Sequence, residues 1–185
     1  MKITDSLAIT FKIGDKDAYS TPLSKEAFEA SYRLIAGTKA ALFDTTDKAL
    51  VLDGPALALL TLKDVGATQA RKREEDGDGG AAALIAELGR LTMVVVPGAE
   101  GLDLMPVSAS GVDPDEWEEA LSALIFFTVN YALTPKSEKN RKIEMLSAIL
   151  NFGITSQSAE DWLNSLKTST APATPAKKAA SSVPV

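Results

Sequence analysis

The chain has 185 residues, enough for one domain with a substantial core, and contains neither cysteine nor histidine. That excludes disulfides, thiol chemistry, zinc sites of the usual kinds and nucleophiles activated by histidine. Acidic residues outnumber basic ones 25 to 19, and because Lys177 and Lys178 are the only charged side chains of the last 18 residues, the body before them is more acidic than the whole, a poor non-specific ligand for nucleic acid.

In chain order, Leu7, Ile9, Phe11 and Ile13 alternate with Ala8, Thr10 and Lys12, the period of a half-buried strand. Gly14-Asp15 suits a tight hairpin turn, Asp17 to Thr21 is the expected return strand, and Pro22 ends it. A lone hairpin is not stable, so its apolar face is expected to lie on helices. Ser24 is a cap candidate for a first helix, with Leu23 and Phe28 as a hydrophobic staple and Phe28, Tyr32 and Ile35 at helical spacing. Gly37 ends or weakens this helix, and residues 39 to 43 extend it.

Residues 44 to 53 read as irregular, with a short extended piece at 49 to 52. Asp53-Gly54-Pro55 is the expected start of a second helix with Leu57, Leu60 and Val65 inward; a strand over Leu59 to Leu62 is the alternative, and the polar helix formers that follow favour the helix. Glu74 to Gly80 reads as an exposed loop. Leu84, Leu88, Leu91 and Val95 mark a third helix, which Met93 to Val96, with their strand propensity, can cut short. Pro97-Gly98 stops it, and residues 100 to 111 are expected to be a loop with the apolar tether Leu102 to Met105.

The strongest local signal is Val112-Asp113-Pro114-Asp115-Glu116-Trp117. Asp113 is the cap, Pro114 occupies the first helical position, Glu116 stands three after the cap, and Val112 with Trp117 forms a staple. In the helix that follows, Trp117, Leu121, Leu124, Ile125, Thr128 and Tyr131 form one stripe, while Phe126, Phe127, Val129 and Leu133 lie off it. A helix this apolar all round is the centre of a bundle or meets a partner. Thr134-Pro135 opens another helix with Ile143, Leu146, Ile149 and Leu150 on one side and Gly153 at its stop. Ser158 caps a last short helix carrying Trp162, Leu163 and Leu166. Residues 168–185, rich in Ala, Pro, Ser and Thr, are expected to be a disordered tail.

The chemical motifs are weak. Asp76, Asp78 and Glu87 have the spacing of a calcium loop's first, third and twelfth ligands. Gly80 brings no side chain to the fifth position, however, and Ala81 stands where the turn needs glycine, so a solvated loop is the better reading. Asp115, Glu116, Glu118 and Glu119 crowd a helix N-terminus, where the dipole favours them without any catalytic role. Arg71-Lys72-Arg73 runs straight into Glu74-Glu75-Asp76 and reads as a charge-paired helix end. Gly77, Gly79 and Gly80 are followed by no Gly-Lys-Ser/Thr, so they do not form a phosphate loop. The amino terminus lacks a signal peptide's apolar run, and no apolar run approaches the roughly 20 residues of a membrane helix. A soluble cytoplasmic protein is expected.

Three stretches carry a resemblance: Leu84-Ile85-Ala86-Glu87-Leu88-Gly89-Arg90-Leu91-Thr92-Met93-Val94-Val95-Val96-Pro97, the acidic-start helix from Asp113 into Ala123-Leu124-Ile125-Phe126-Phe127-Thr128, and the Ala/Pro/Ser/Thr/Lys tail. In these the chain resembles the tail assembly chaperones of long-tailed bacteriophages. The resemblance implies a protein of the host cytoplasm that escorts the aggregation-prone tape measure protein, helps tail tube protein polymerise around it, and leaves before the virion is finished. It implies no cofactor and no catalytic residue; from the residues themselves no metal and no nucleic-acid or membrane partner is expected. Many such proteins have a longer form made by ribosomal frameshifting; Ala176-Lys177-Lys178 is compatible with an A-rich slippery sequence, which the codons would reveal.

The expected architecture is therefore mainly α (α+β): a helical bundle over residues 1–167 with an N-terminal β-hairpin, followed by the tail. Trp117, Leu121, Phe126, Phe127, Tyr131 and Trp162 are the expected packing and partner-contacting set, undivided between core and interface. Self-association is a further expectation. The alternatives are a structural virion protein, such as a minor tail or tail-completion component, and, as an enzyme, a small carboxylate-dependent hydrolase.

Overall fold

The computed structural model describes residues 7–43, 50–73, 77–99 and 101–169. Among the described residues the fold is α+β, with six α-helices and a five-stranded antiparallel sheet. Strands β1 (Ala8–Ile13) and β2 (Lys16–Ser20) form the expected hairpin, with Ile13 opposite Lys16 and Gly14 at φ +58° in the turn. Helix α1 is Lys25–Phe43, α2 Leu50–Arg73 and α3 Ala81–Arg90. Strands β3 (Thr92–Gly98) and β4 (Gly101–Pro106) follow, then α4 (Pro114–Ala132), α5 (Lys139–Leu150), β5 (Gly153–Thr155) and α6 (Ala159–Ser169). The strand order is β4-β3-β2-β1-β5.

The two faces of the sheet are covered differently. Ile9, Phe11 and Ile13 of β1, Ala18 of β2 and Val94 and Val96 of β3 face the main core, with α1 to α4. The alternate residues Ala8, Tyr19 and Val95 face the other way, where α6 lays Trp162 and Leu163 on them and Leu102, Leu104 and Leu166 complete a smaller core. Helix α4 lies between layers, touching β1 on one side and packing along α2 on the other. For this reason Leu121, Leu124, Ile125, Phe126, Phe127 and Val129 are all buried although they point in different directions.

Several elements differ from the sequence reading. The third helix stops at Arg90, short of Leu91 and Val95 but in line with the strand propensity of Met93 to Val96, and Thr92 to Gly98 is a strand, because three successive β-branched valines pack on both sides of the sheet. The expected tether at 102 to 105 is the edge strand β4, with Leu102 and Leu104 inward and Asp103 exposed. Gly153 does not stop α5. Asn151 does so at φ +54°, and Gly153 opens β5, where an added Cβ would strike Thr10 Oγ1. Gly37 does not end α1; its lack of a side chain lets α2's Val65 and Gln69 come close. The second helix begins before Asp53 and holds Pro55 inside it. Ser122 Oγ of α4 accepts from Leu59 N and donates to Ala56 O, reinforcing α2 just after the residue that lacks an N–H. Leu57 and Leu60 are exposed, and the buried line is Gly54, Ala58, Leu62, Gly66 and Ala70 at intervals of four. Thr168 and Ser169 belong to α6; the remainder of the expected tail, the piece at 44 to 49 and Asp76 lie outside the described residues.

Candidate functional site

The α4 start is built as its sequence reads. Asp113 Oδ1 accepts from Asp115 N at 2.9 Å and Glu116 N at 3.5 Å, and Val112 and Trp117 pack half-buried on the main core. The acidic cluster is exposed on that turn: Glu116 lies over Gly14 of the hairpin, and Glu118 faces Lys63 of α2 at 3.6 Å. Asp78 holds no ion. Its carboxylate accepts from Gly80 N at 3.0 Å and Ala82 N at 2.6 Å, and these N–H groups hold its pKa below the usual carboxylate value while capping α3. Among the described residues no group of three or more acidic side chains is placed to hold a metal.

The six expected contact residues separate. Leu121 and Phe126 are sealed in the main core, with Phe126 against Phe43 and the bare face of Gly54. Trp162 is buried against Tyr19, 5.5 Å between ring centroids, on the opposite face of the sheet from α4. Trp117 is half-buried. Phe127, as buried in the main core as Leu121, stacks 5.5 Å from the half-buried Tyr131, and the two border an open cavity of about 380 Å³. That volume falls within the roughly 300–1,000 Å³ typical of ligand pockets.

The cavity lies where the end of α4 meets the junction of β2 and α1. Its floor is Leu124, Phe127 and Tyr131, with Ile9 of β1 beside them. Leu23 and Phe28, the staple that fixes how the chain enters α1, form a wall. Ser24 Oγ, which accepts from Ala27 N at 3.1 Å, sets the helix start at the mouth. An aromatic chain supports the floor: Phe11 meets Phe152 at 5.0 Å, and Phe152 meets Phe127 at 6.0 Å.

Among the described residues, every charged side chain lining this cavity is a lysine: Lys25, Lys136 and Lys139. Lys139 Nζ stands 4.6 Å from the Tyr131 ring centroid, a cation–π contact, and Lys25 lies 3.7 Å from Glu29 across exposed helix surface. One turn along α5 from Lys139 stands Lys142, whose charge acts on Lys39 of α1. Burial first, and then the Lys142 charge, pull the Lys39 pKa below the usual lysine value.

The sequence reading missed Leu23, Phe28 and the lysines as members of one site. Leu23 and Phe28 were legible as a staple, and the lysines carried a signal of their own. Lys25 and Lys139 are the first residues of their helices, where the dipole disfavours a cation.

No protein-family model, no curated protein and no solved structure matches this chain significantly. Among the described residues no helix is long and apolar enough to cross a membrane.

Proposed function

We propose that this protein is a non-enzymatic tail assembly chaperone of a long-tailed bacteriophage, acting in the host cytoplasm to shield apolar helices of the tape measure protein while tail tube protein assembles around it. The observation that carries this reading is the open apolar cavity at the end of α4. Phe127 and Tyr131, from a helix buried on several sides, help to form its floor, and a helix presenting one bulky side chain per turn or two has a place to insert it. The acidic body supports the same role, since it keeps a complex soluble and opposes crowding of further copies.

Affinity purification of the tagged full chain from infected cells tests the proposal. The tape measure protein is expected as the main partner, and the chaperone itself is expected to be missing from purified particles. Its presence in particles in stoichiometric copies would instead make it a structural virion component.

A further inference from the structure

The cavity's chemistry is more specific than shielding alone requires. A site that only covered apolar side chains has no need of a charge opposite to that of the chain, and the chain is acidic. Here the rim reverses the sign. Lys25, Lys136 and Lys139 surround an apolar floor, and among the described residues no acidic side chain lines it. Among the described residues, Lys136 and Lys139 make no ion pair with a side chain, and Lys25 has only the long exposed contact with Glu29. The rim also gathers the N-termini of two helices, α1 at Lys25 and α5 at Lys139, whose dipoles add to the positive potential. Like-charged groups gathered this way repel one another, and a bound anion relieves that repulsion.

From this charge pattern we infer that the cavity binds an acidic amphipathic helix of another protein, with a Leu, Ile or Phe side chain on the Leu124–Phe127–Tyr131 floor and flanking Asp or Glu on Lys25, Lys136 and Lys139. The chain's own carboxy-terminal segment has the wrong sign, since its charged side chains are Lys177 and Lys178. The inference deepens the chaperone reading and rests on it, because it names which tape measure segments would be held: those whose apolar stripe is bordered by carboxylates.

The test uses the full-length protein and three fluorescein-labelled synthetic helices that share one Leu/Phe stripe and differ only in flanking residues: Glu, Gln or Lys. Fluorescence anisotropy is expected to rank them Glu, Gln, Lys, with about a tenfold preference for Glu over Gln from three rim pairs, collapsing at high salt. The double variant Lys136→Glu/Lys139→Glu changes two solvent-accessible side chains, so folding is retained, and it is expected to reverse the order. Equal affinities for the Glu and Gln helices, or no binding of either, would overturn the inference. So would dodecanoate binding tighter than any helix, which gives the cavity to a small amphiphile, or a dimer dispersed by Lys136→Glu, which gives it to a second copy. Tape measure co-purification run in parallel separates the two claims. If it succeeds while flanking charge makes no difference, shielding stands and the acidic specificity falls. If the Glu helix binds selectively while the tape measure does not co-purify, the specificity stands and the identity of the client falls.

Discussion

At the scale of single residues, polar groups here mostly serve the backbone. Asp113 and Asp78 cap helices, Ser122 ties α4 to α2, and Thr92 Oγ1 donates to Leu88 O at 2.8 Å where α3 gives way to β3. Lys39 is different, because its charge is opposed. With its folded pKa below the unfolded value, the native state binds this proton more weakly than the unfolded chain does. The resulting penalty is complete below the folded pKa and is relieved as pH rises through it into the alkaline range. Lys142→Glu replaces the repulsion with attraction and raises the Lys39 pKa. The variant is therefore expected to have a higher urea midpoint at neutral pH, with its advantage shrinking as Lys39 deprotonates. Paired urea titrations at neutral and alkaline pH would show this, and an advantage that grew with pH would contradict the assignment.

At the scale of elements, α2 shows how close approach sets the phase of a helix. Its leucines point in several directions, and the side that packs is the one bearing Gly54, Ala58, Gly66 and Ala70. Gly66 fits directly against the backbone of the turn before α3, where a Cβ would collide with Asp78 O. Gly66→Ala is accordingly expected to destabilise by about 1–3 kcal/mol, since backbone has to move. Gly89 in α3 is the counterexample: its Cβ would meet Trp117 at 3.8 Å, an ordinary contact. Gly89→Ala is expected to stabilise by about 0.4–1 kcal/mol through the lower entropy of the unfolded chain. Denaturant midpoints of the two variants should move in opposite directions.

At the scale of the whole molecule, the sheet divides packing from binding. Trp162 closes the smaller core on one face, and the cavity opens beyond the other. Trp162→Ala removes a buried aromatic side chain and is expected to cost about 3–5 kcal/mol of stability. Under conditions where the variant remains folded, its affinity for the Glu-flanked helix is expected to be unchanged, because no cavity residue is altered. Chemical unfolding combined with anisotropy would separate the two effects, and an equal loss of both would place Trp162 in the binding site.

What was legible in the sequence was local. The β1–β2 hairpin with its Gly14 turn, the caps at Ser24, Asp113 and Ser158, and the apolar surplus of α4 all follow from propensities and periods within a dozen neighbouring residues. Strands β4 and β5 were not legible, since six and three residues are too few for a decisive period and their stability comes from pairing with β3 and β1. The candidate site was half visible: Phe127 and Tyr131 were named, but among aromatics that burial places elsewhere. Only the tertiary structure decided which rings are sealed, because burial depends on which layers a helix lies between. It alone brought Lys25 beside Lys136 and Lys139, since charges more than a hundred residues apart acquire a common potential only when the chain folds them onto one rim.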